Sequence, residues 1–228
     1  MKQHLFRDLT PFEWTLWILS VCAIAGAFFL SGSRDILTIT ASLIGVTALL
    51  FVAKGYVFGQ IMTIVFAVLY GVMSFFFRYY GEMLTYLCMT APMAIVTAVA
   101  WLKHPFQGTQ EVEIHPLTKK QALIMMGLST IATFLGYELL AALKTANLLF
   151  STISVTTSFI ASYLTFLRSP YYALGYAAND LVLIVLWGLA AVENPAYLPT
   201  VVCFVMFLAN DIYGFFNWRR MQRRQSMS

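Results

Sequence analysis

Eight apolar stretches occupy almost the whole chain and leave few folds open to it. They cover residues 12–30, 36–53, 56–77, 83–102, 122–143, 148–167, 171–192 and 198–218. About 18 or more consecutive apolar residues are enough to cross a bilayer as a helix. Charged residues make up 11% of the 228 positions, against roughly 25% in a soluble domain. The one long polar connection, 103–121, is too short to form a domain. The sequence therefore predicts an all-α membrane protein, one helix bundle held in lipid.

The cations set its orientation. If every stretch crosses and the N-terminus is cytoplasmic, Lys2, Arg7, Lys54, Lys103, Lys119, Lys120, Arg168, Arg219, Arg220, Arg223 and Arg224 share that side. Only Arg34, Arg78 and Lys144 face the other. This bias puts the C-terminus in the cytoplasm. The first stretch, with Glu13, Gly26 and Gly32, reads as a span, an interfacial helix or an uncleaved signal anchor. No small-residue cleavage site marks it for removal.

Cys22, Cys88 and Cys203 are scattered through apolar stretches with no CxxC pair, so they read as small buried hydrophobes. His4, His104 and His115 all lie outside the stretches, which argues against haem, di-metal or hydrolase chemistry in the membrane. No cofactor, metal or nucleic acid is expected. Pro92 should bend the fourth stretch. Residues 78–82 read as an outer turn with aromatics at headgroup level. The fifth stretch looks like a connector, and the sixth is rich in Ser and Thr.

Asn179-Asp180 in the seventh stretch and Asn210-Asp211 in the eighth stand out. A charge in hydrocarbon costs roughly 2.5–3.5 kcal/mol, so such residues face a bundle interior or a wet cavity. We read these two stretches as lining a route for a small polar solute. The chain also resembles itself. Setting 56–59 on 172–175, with one later insertion, brings Tyr70-Gly71 onto Trp187-Gly188 and Trp101 onto Trp218. Residues 34–102 and 145–218 then read as two like-oriented three-helix units joined by 103–144. The result is a 3+1+3 transmembrane helix bundle with parallel repeats, preceded by an N-terminal hydrophobic helix (1–33) and followed by a basic tail (219–228). Parallel repeats occur in transporters, with the substrate near the midplane between them.

The strings Ala41-Ser42-Leu43-Ile44-Gly45-Val46, Val52-Ala53-Lys54-Gly55 and Asn210-Asp211-Ile212-Tyr213-Gly214, with Trp218 before Arg219-Arg220, resemble the PnuC family of bacterial nicotinamide riboside transporters. The likeness runs over residues 36–224. It implies a homotrimeric inner-membrane facilitator of SWEET-like architecture that imports nicotinamide riboside by facilitated diffusion. It also implies a cytoplasmic riboside kinase that traps the vitamin by phosphorylation. Relatives carry thiamine or riboflavin, which stay open as substrates. The first stretch varies among relatives and departs from the pattern.

Nicotinamide riboside is a pyridinium cation with a carboxamide and a ribose. Its site needs aromatic faces, each worth about 0.5–2 kcal/mol to a cation, and amides that both donate and accept. The candidates are Gln60, Tyr70, Asn179, Trp187 and Asn210. At a 1.5 Å rise per residue, Asn179 and Asn210 both come within about 6 Å of the midplane. Each also has a plainer reading: Asn210 as an interhelical hydrogen bond, Trp187 as an interface anchor, Gln60 as a gate. Tyr213 and Asn217 sit near the cytoplasmic mouth. Asp211 points about 100° from Asn210 and reads as a structural partner for backbone or hydroxyl groups. Asp180 reads as proton carrier, counter-ion or anchor. The competing class, a membrane enzyme acting on lipid or isoprenoid, needs clustered Asp, His or Lys near one interface, which two separated aspartates do not supply.

Overall fold

The computed structural model describes residues 6–32, 35–77, 79–145 and 147–228. Lys2, His4, Arg34 and Arg78 lie outside the described residues. Among the described residues, eight helices are long and apolar enough to cross a membrane, and no strand forms.

Local chemistry sets the helix ends. Helix α1 is Pro11–Leu30. Thr10 Oγ1 accepts the Glu13 N–H at 3.2 Å, and the Glu13 carboxylate accepts the Thr10 N–H at 2.6 Å, closing a capping box ahead of Pro11. Helices α2 (Ile36–Ala53) and α3 (Val57–Phe76) are joined through Gly55, which turns the chain at φ +69°. Helix α4 is Tyr80–Lys103. The expected bend at Pro92 takes the form of a π-helical turn over Thr85–Thr90. Proline has no N–H and crowds the carbonyl four residues back. The turn before it slips to i→i+5, with Ala91 N–H donating to Tyr86 O. Helix α5 (Lys119–Ala142) starts at a second capping box, Thr118 with Gln121. Helices α6 (Leu148–Phe166), α7 (Tyr172–Glu193) and α8 (Leu198–Gln225) complete the chain.

Two local expectations are corrected. Helix α8 does not stop at Trp218 but carries the basic residues on to Gln225. Arg, Gln and Met are good helix formers, and Arg223 and Arg224 in the last turn suit the helix dipole. Residues 80–82 are not an outer turn but the first turn of α4, and both Tyr79 and Glu82 are buried. Gly81 lets that turn close on Leu140 and Ser151, where an added Cβ would lie 3.1–3.3 Å away.

Neighbouring helices close a ring in the order α2, α3, α4, α6, α7, α8 and back to α2. Helix α1 lies outside it on the α2–α8 seam, and α5 lies outside it on α6. Helix α1 packs along the bundle rather than apart from it. Trp17 Nε1 donates to Thr47 Oγ1 at 3.1 Å, and Lys54 Nζ pairs with Glu13 at 3.1 Å, both side chains largely buried. Removing one partner of such a pair costs about 3–5 kcal/mol.

Lys54 and the arginines of α8 gather at one end of the bundle, the basic end. There the loop 104–118 lies across the ring. Val112 N–H donates to Gly55 O at 2.9 Å, and Ile114 N–H to Gln225 Oε1 at 2.8 Å. Glu111 pairs with Arg224. Beneath the loop, the Trp101 and Trp218 rings lie 5.5 Å apart. Trp218 Nε1 donates to Val52 O of α2 at 2.9 Å, and Trp101 Nε1 to Thr165 O of α6 at 3.1 Å. Each indole thus reaches the next-to-last carbonyl of a helix in the other half of the ring.

Candidate functional site: the cavity inside the ring

Small residues let the ring close tightly. A Cβ on Gly45 would lie 2.3 Å from the Phe207 ring and 2.9 Å from Phe66. Between these elements is a cavity of ≈ 40 Å³, walled by α2, α3, α4, α7 and α8. Its aromatic faces are Phe66, Tyr86, Tyr176 and Phe207; its polar wall is Gln60, Thr63, Thr90, Asn179, Asp180 and Asp211. Among the described residues, neither Lys nor Arg lines it.

The polar wall is only partly satisfied. Asn179 Oδ1 accepts from Ser154 (3.2 Å), Thr157 (2.8 Å) and Ser158 (3.0 Å). This accounts for three of the eight Ser and Thr hydroxyls of α6. One edge of the carboxamide is spent on α6, and the other is left for the cavity. Gln60 Nε2 and Asp180 Oδ2 are buried with no hydrogen-bond partner. The Asp180 and Asp211 carboxyl groups are direct neighbours. Buried polar groups are normally paired, and an unpaired one costs about 1–3 kcal/mol. Other buried polar atoms without a partner are scattered through the bundle, on Ser74, Thr200 and Asn210 among others. Those of Gln60 and Asp180 open onto a cavity, where a polar solute fits the unused bonding positions.

Gln60 and Asn179 line this cavity, but Asn210 does not. Asn210 Nδ2 donates to Ser20 Oγ of α1 at 3.1 Å and to Met206 O at 2.8 Å. Asp211 takes the inward position and meets Asp180. The orientation expected for this step is reversed. Successive side chains diverge by about 100°, and the outward one finds a hydroxyl on α1 while the inward one finds the cavity. Trp187 and Tyr70 come together, Trp187 Nε1 donating to Tyr70 Oη at 2.6 Å, but with each other rather than with the cavity. Around Trp187 stand Tyr79 (4.7 Å) and Tyr197 (5.7 Å); around Tyr70 stand Tyr86 (4.3 Å) and Phe204 (5.6 Å). These rings roof the end of the ring opposite the basic end, the far end.

Tyr213 and Asn217 turn outward. Tyr213 Oη donates to Glu13 Oε1 at 2.7 Å, and Asn217 Nδ2 donates to Ala53 O at 2.9 Å. They line a larger hollow of ≈ 610 Å³ between α1 and α8 at the basic end. Of its charges, Lys54 is matched by Glu13 and Arg224 by Glu111, while Arg220 has no ion-pair partner among the described residues. The smaller cavity on the ring's axis, with its unpaired polar wall, is the candidate site. Its aromatic walls escaped the sequence reading. Tyr176 had a signal, standing four residues before Asp180 and so on the same helix face. Tyr86 had none, because the π turn resets the face it presents.

Residues 35–220 match the family described as Nicotinamide mononucleotide transporter. The chain belongs to that family. It is 31% identical to the nicotinamide riboside transporter PnuC of Neisseria mucosa, over 99% of this chain and 87% of that protein. It is 23% identical to the protein of the same name from Haemophilus influenzae, over 98% and 96%. A crystal structure of the vitamin B3 transporter PnuC superimposes with a TM-score of 0.85 at 28% identity, covering 97% of this chain and 96% of that one. The fold is therefore all-helical and matches that PnuC structure, in a multi-pass membrane protein with eight membrane-length helices among the described residues. The likeness carried by 41–46, 52–55 and 210–214 extends along nearly the whole chain.

Proposed function

We propose that the chain carries nicotinamide riboside through the cavity inside the ring. One observation carries this: among the described residues, the cavity wall holds two neighbouring carboxyl groups and no basic residue. A pyridinium cation suits that wall. The mononucleotide, the solute in the family's description, brings a phosphate that would meet two carboxyls and nothing to neutralise it. Like charges held together at a site cost several kcal/mol. In this reading Gln60 and Asn179 take the carboxamide and ribose, Phe66, Tyr86 and Phe207 supply π faces, and Tyr70 and Trp187 close the far end.

A cavity of ≈ 40 Å³ is far below the roughly 300–1,000 Å³ of a small-molecule site, so the bundle must open to load. We assign that motion to two parallel three-helix repeats, 34–102 and 145–218, joined by 103–144 in a 3+1+3 arrangement. The contacts of Tyr70 with Trp187 and of Trp101 with Trp218 support it. Both pairs are matched positions of the repeats, and they lie on either side of the cavity. The reciprocal indole bonds to Val52 O and Thr165 O support it too. Among the described residues no connection is long enough for a nucleotide-binding domain, in keeping with facilitated diffusion. Net uptake then follows from phosphorylation by an intracellular riboside kinase. The cation bias supports a cytoplasmic basic end in a bacterial inner-membrane protein, and the family resemblance supports a homotrimer.

The test is competitive binding to purified protein by the riboside, its mononucleotide, thiamine and riboflavin. The riboside should bind tightest, with the mononucleotide weaker by about 100-fold or more from like-charge contact. A tighter mononucleotide overturns the reading, and a tighter thiamine, also a cation, reassigns the substrate within it.

A further inference from the structure

The far end holds a buried carboxyl that the central site does not use and that, unlike buried Glu13, pairs with no cation among the described residues. Glu82, in the first turn of α4, is 1% exposed. Neither carboxyl oxygen makes a well-formed hydrogen bond, and no cation pairs with it among the described residues. A polar neighbour is Ser154, the serine whose hydroxyl also reaches Asn179 on the cavity wall. Glu82 also lies within electrostatic reach of the phenol groups of Tyr70, Tyr86 and Tyr79. Tyr86 is within the same reach of Asp180. Its ring stands 4.3 Å from that of Tyr70. Two aromatic rings thus form a partition, with carboxyls of the cavity on one side and a single carboxyl on the other. An ionisable side chain at membrane depth marks a solute or proton path by default, and a helical core that needed only packing would use an apolar residue here.

The geometry points to Glu82 as a second station for the cationic solute on the far-end half of the route. When the Tyr70–Tyr86 partition turns aside, the cation passes from the Asp180–Asp211 pair to Glu82 across aromatic faces, and is never without a counter-charge. This rests on the central-cavity reading above and extends it. Glu82 acts on passage, and the resting affinity of the central site does not depend on it.

The experiment compares Glu82→Gln and Glu82→Asp with wild type. Equilibrium binding of nicotinamide riboside is measured on purified protein, and exchange of the labelled riboside in proteoliposomes. In E82Q, affinity should stay within about threefold of wild type while exchange slows at least tenfold, the range over which one charged contact acts. E82D, which keeps the charge, should recover most of the rate. Wild-type exchange in E82Q overturns the proposal. So does an equal slowing in both variants, or a parallel loss of binding, each of which makes Glu82 structural. If E82Q does not fold, labelling of wild-type protein by dicyclohexylcarbodiimide, read by peptide mass, takes its place. The riboside must then protect Glu82, and unprotected labelling overturns the station. A wild-type protein that binds no riboside contradicts the central reading itself, a different result from any of these.

Discussion

The same dipeptide, Asn-Asp, occurs in α7 and in α8, and the structure uses it in two different ways. In α7 both side chains reach the cavity: Asn179 is braced by three hydroxyls of α6, and Asp180 keeps one oxygen unpaired. In α8 the step is split. Asp211 faces in toward Asp180, and Asn210 faces out and holds α1 through Ser20. The difference lies in what flanks each helix. Helix α7 is bordered by the hydroxyl-rich α6 on the side its amide faces, whereas α8 carries α1 on its back. The two aspartates therefore share one cavity, while the two asparagines part: Asn179 stands on the cavity wall and Asn210 joins α8 to α1.

Substitutions can break this contrast. The largest effect should come from Asp180→Asn and Asp211→Asn. Each removes a carboxyl facing the cation, and loss of a buried charged contact costs about 2–5 kcal/mol. Riboside affinity should fall by about 30-fold or more in either variant, as titration calorimetry can measure. If Asp211→Asn binds like wild type, the inward role given to Asp211 is wrong. Asn179→Ala comes next: losing one braced amide should weaken binding about tenfold, within the roughly 1–3 kcal/mol of an unmet buried polar group. Asn210→Ala should have the smallest effect on binding, within about twofold. Its cost appears instead as a melting temperature lower by a few degrees, in line with a net hydrogen bond of about 1 kcal/mol. Ser20→Ala should reproduce that shift, and the double variant should add little to either single one. A large loss of affinity in Asn210→Ala would erase the distinction between the two steps.

The number of helices was legible because a membrane demands long apolar runs, and their limits mostly agreed within a few residues. The errors fell where polar residues are taken into the fold. The basic end of α8 was read as a tail because charge signals water, yet its last turn holds the loop through Gln225 and Val112. Glu82 was read as part of a turn because it follows Arg78-Tyr79-Tyr80-Gly81, yet Gly81 draws it inside. Depth along a helix could be computed from the sequence, so the level of Asn179 and Asn210 was within reach. Facing could not, since it depends on which neighbour covers each side. Trp187 shows the same limit: it and Tyr70 were read as matched repeat positions on the solute site, and the indole spends its N–H on the phenol instead. The π turn before Pro92 had a visible cause and an unpredictable consequence, the turning of Tyr86 onto the cavity wall.

The most direct test of the central claim is an experimental structure of the protein with nicotinamide riboside bound. The pyridinium ring should lie between Phe66, Tyr86 and Phe207, within contact distance of Asp180 and Asp211, with the amides of Gln60 and Asn179 on the ribose or carboxamide. A riboside found instead in the hollow between α1 and α8, beside Tyr213 and Asn217, would contradict it.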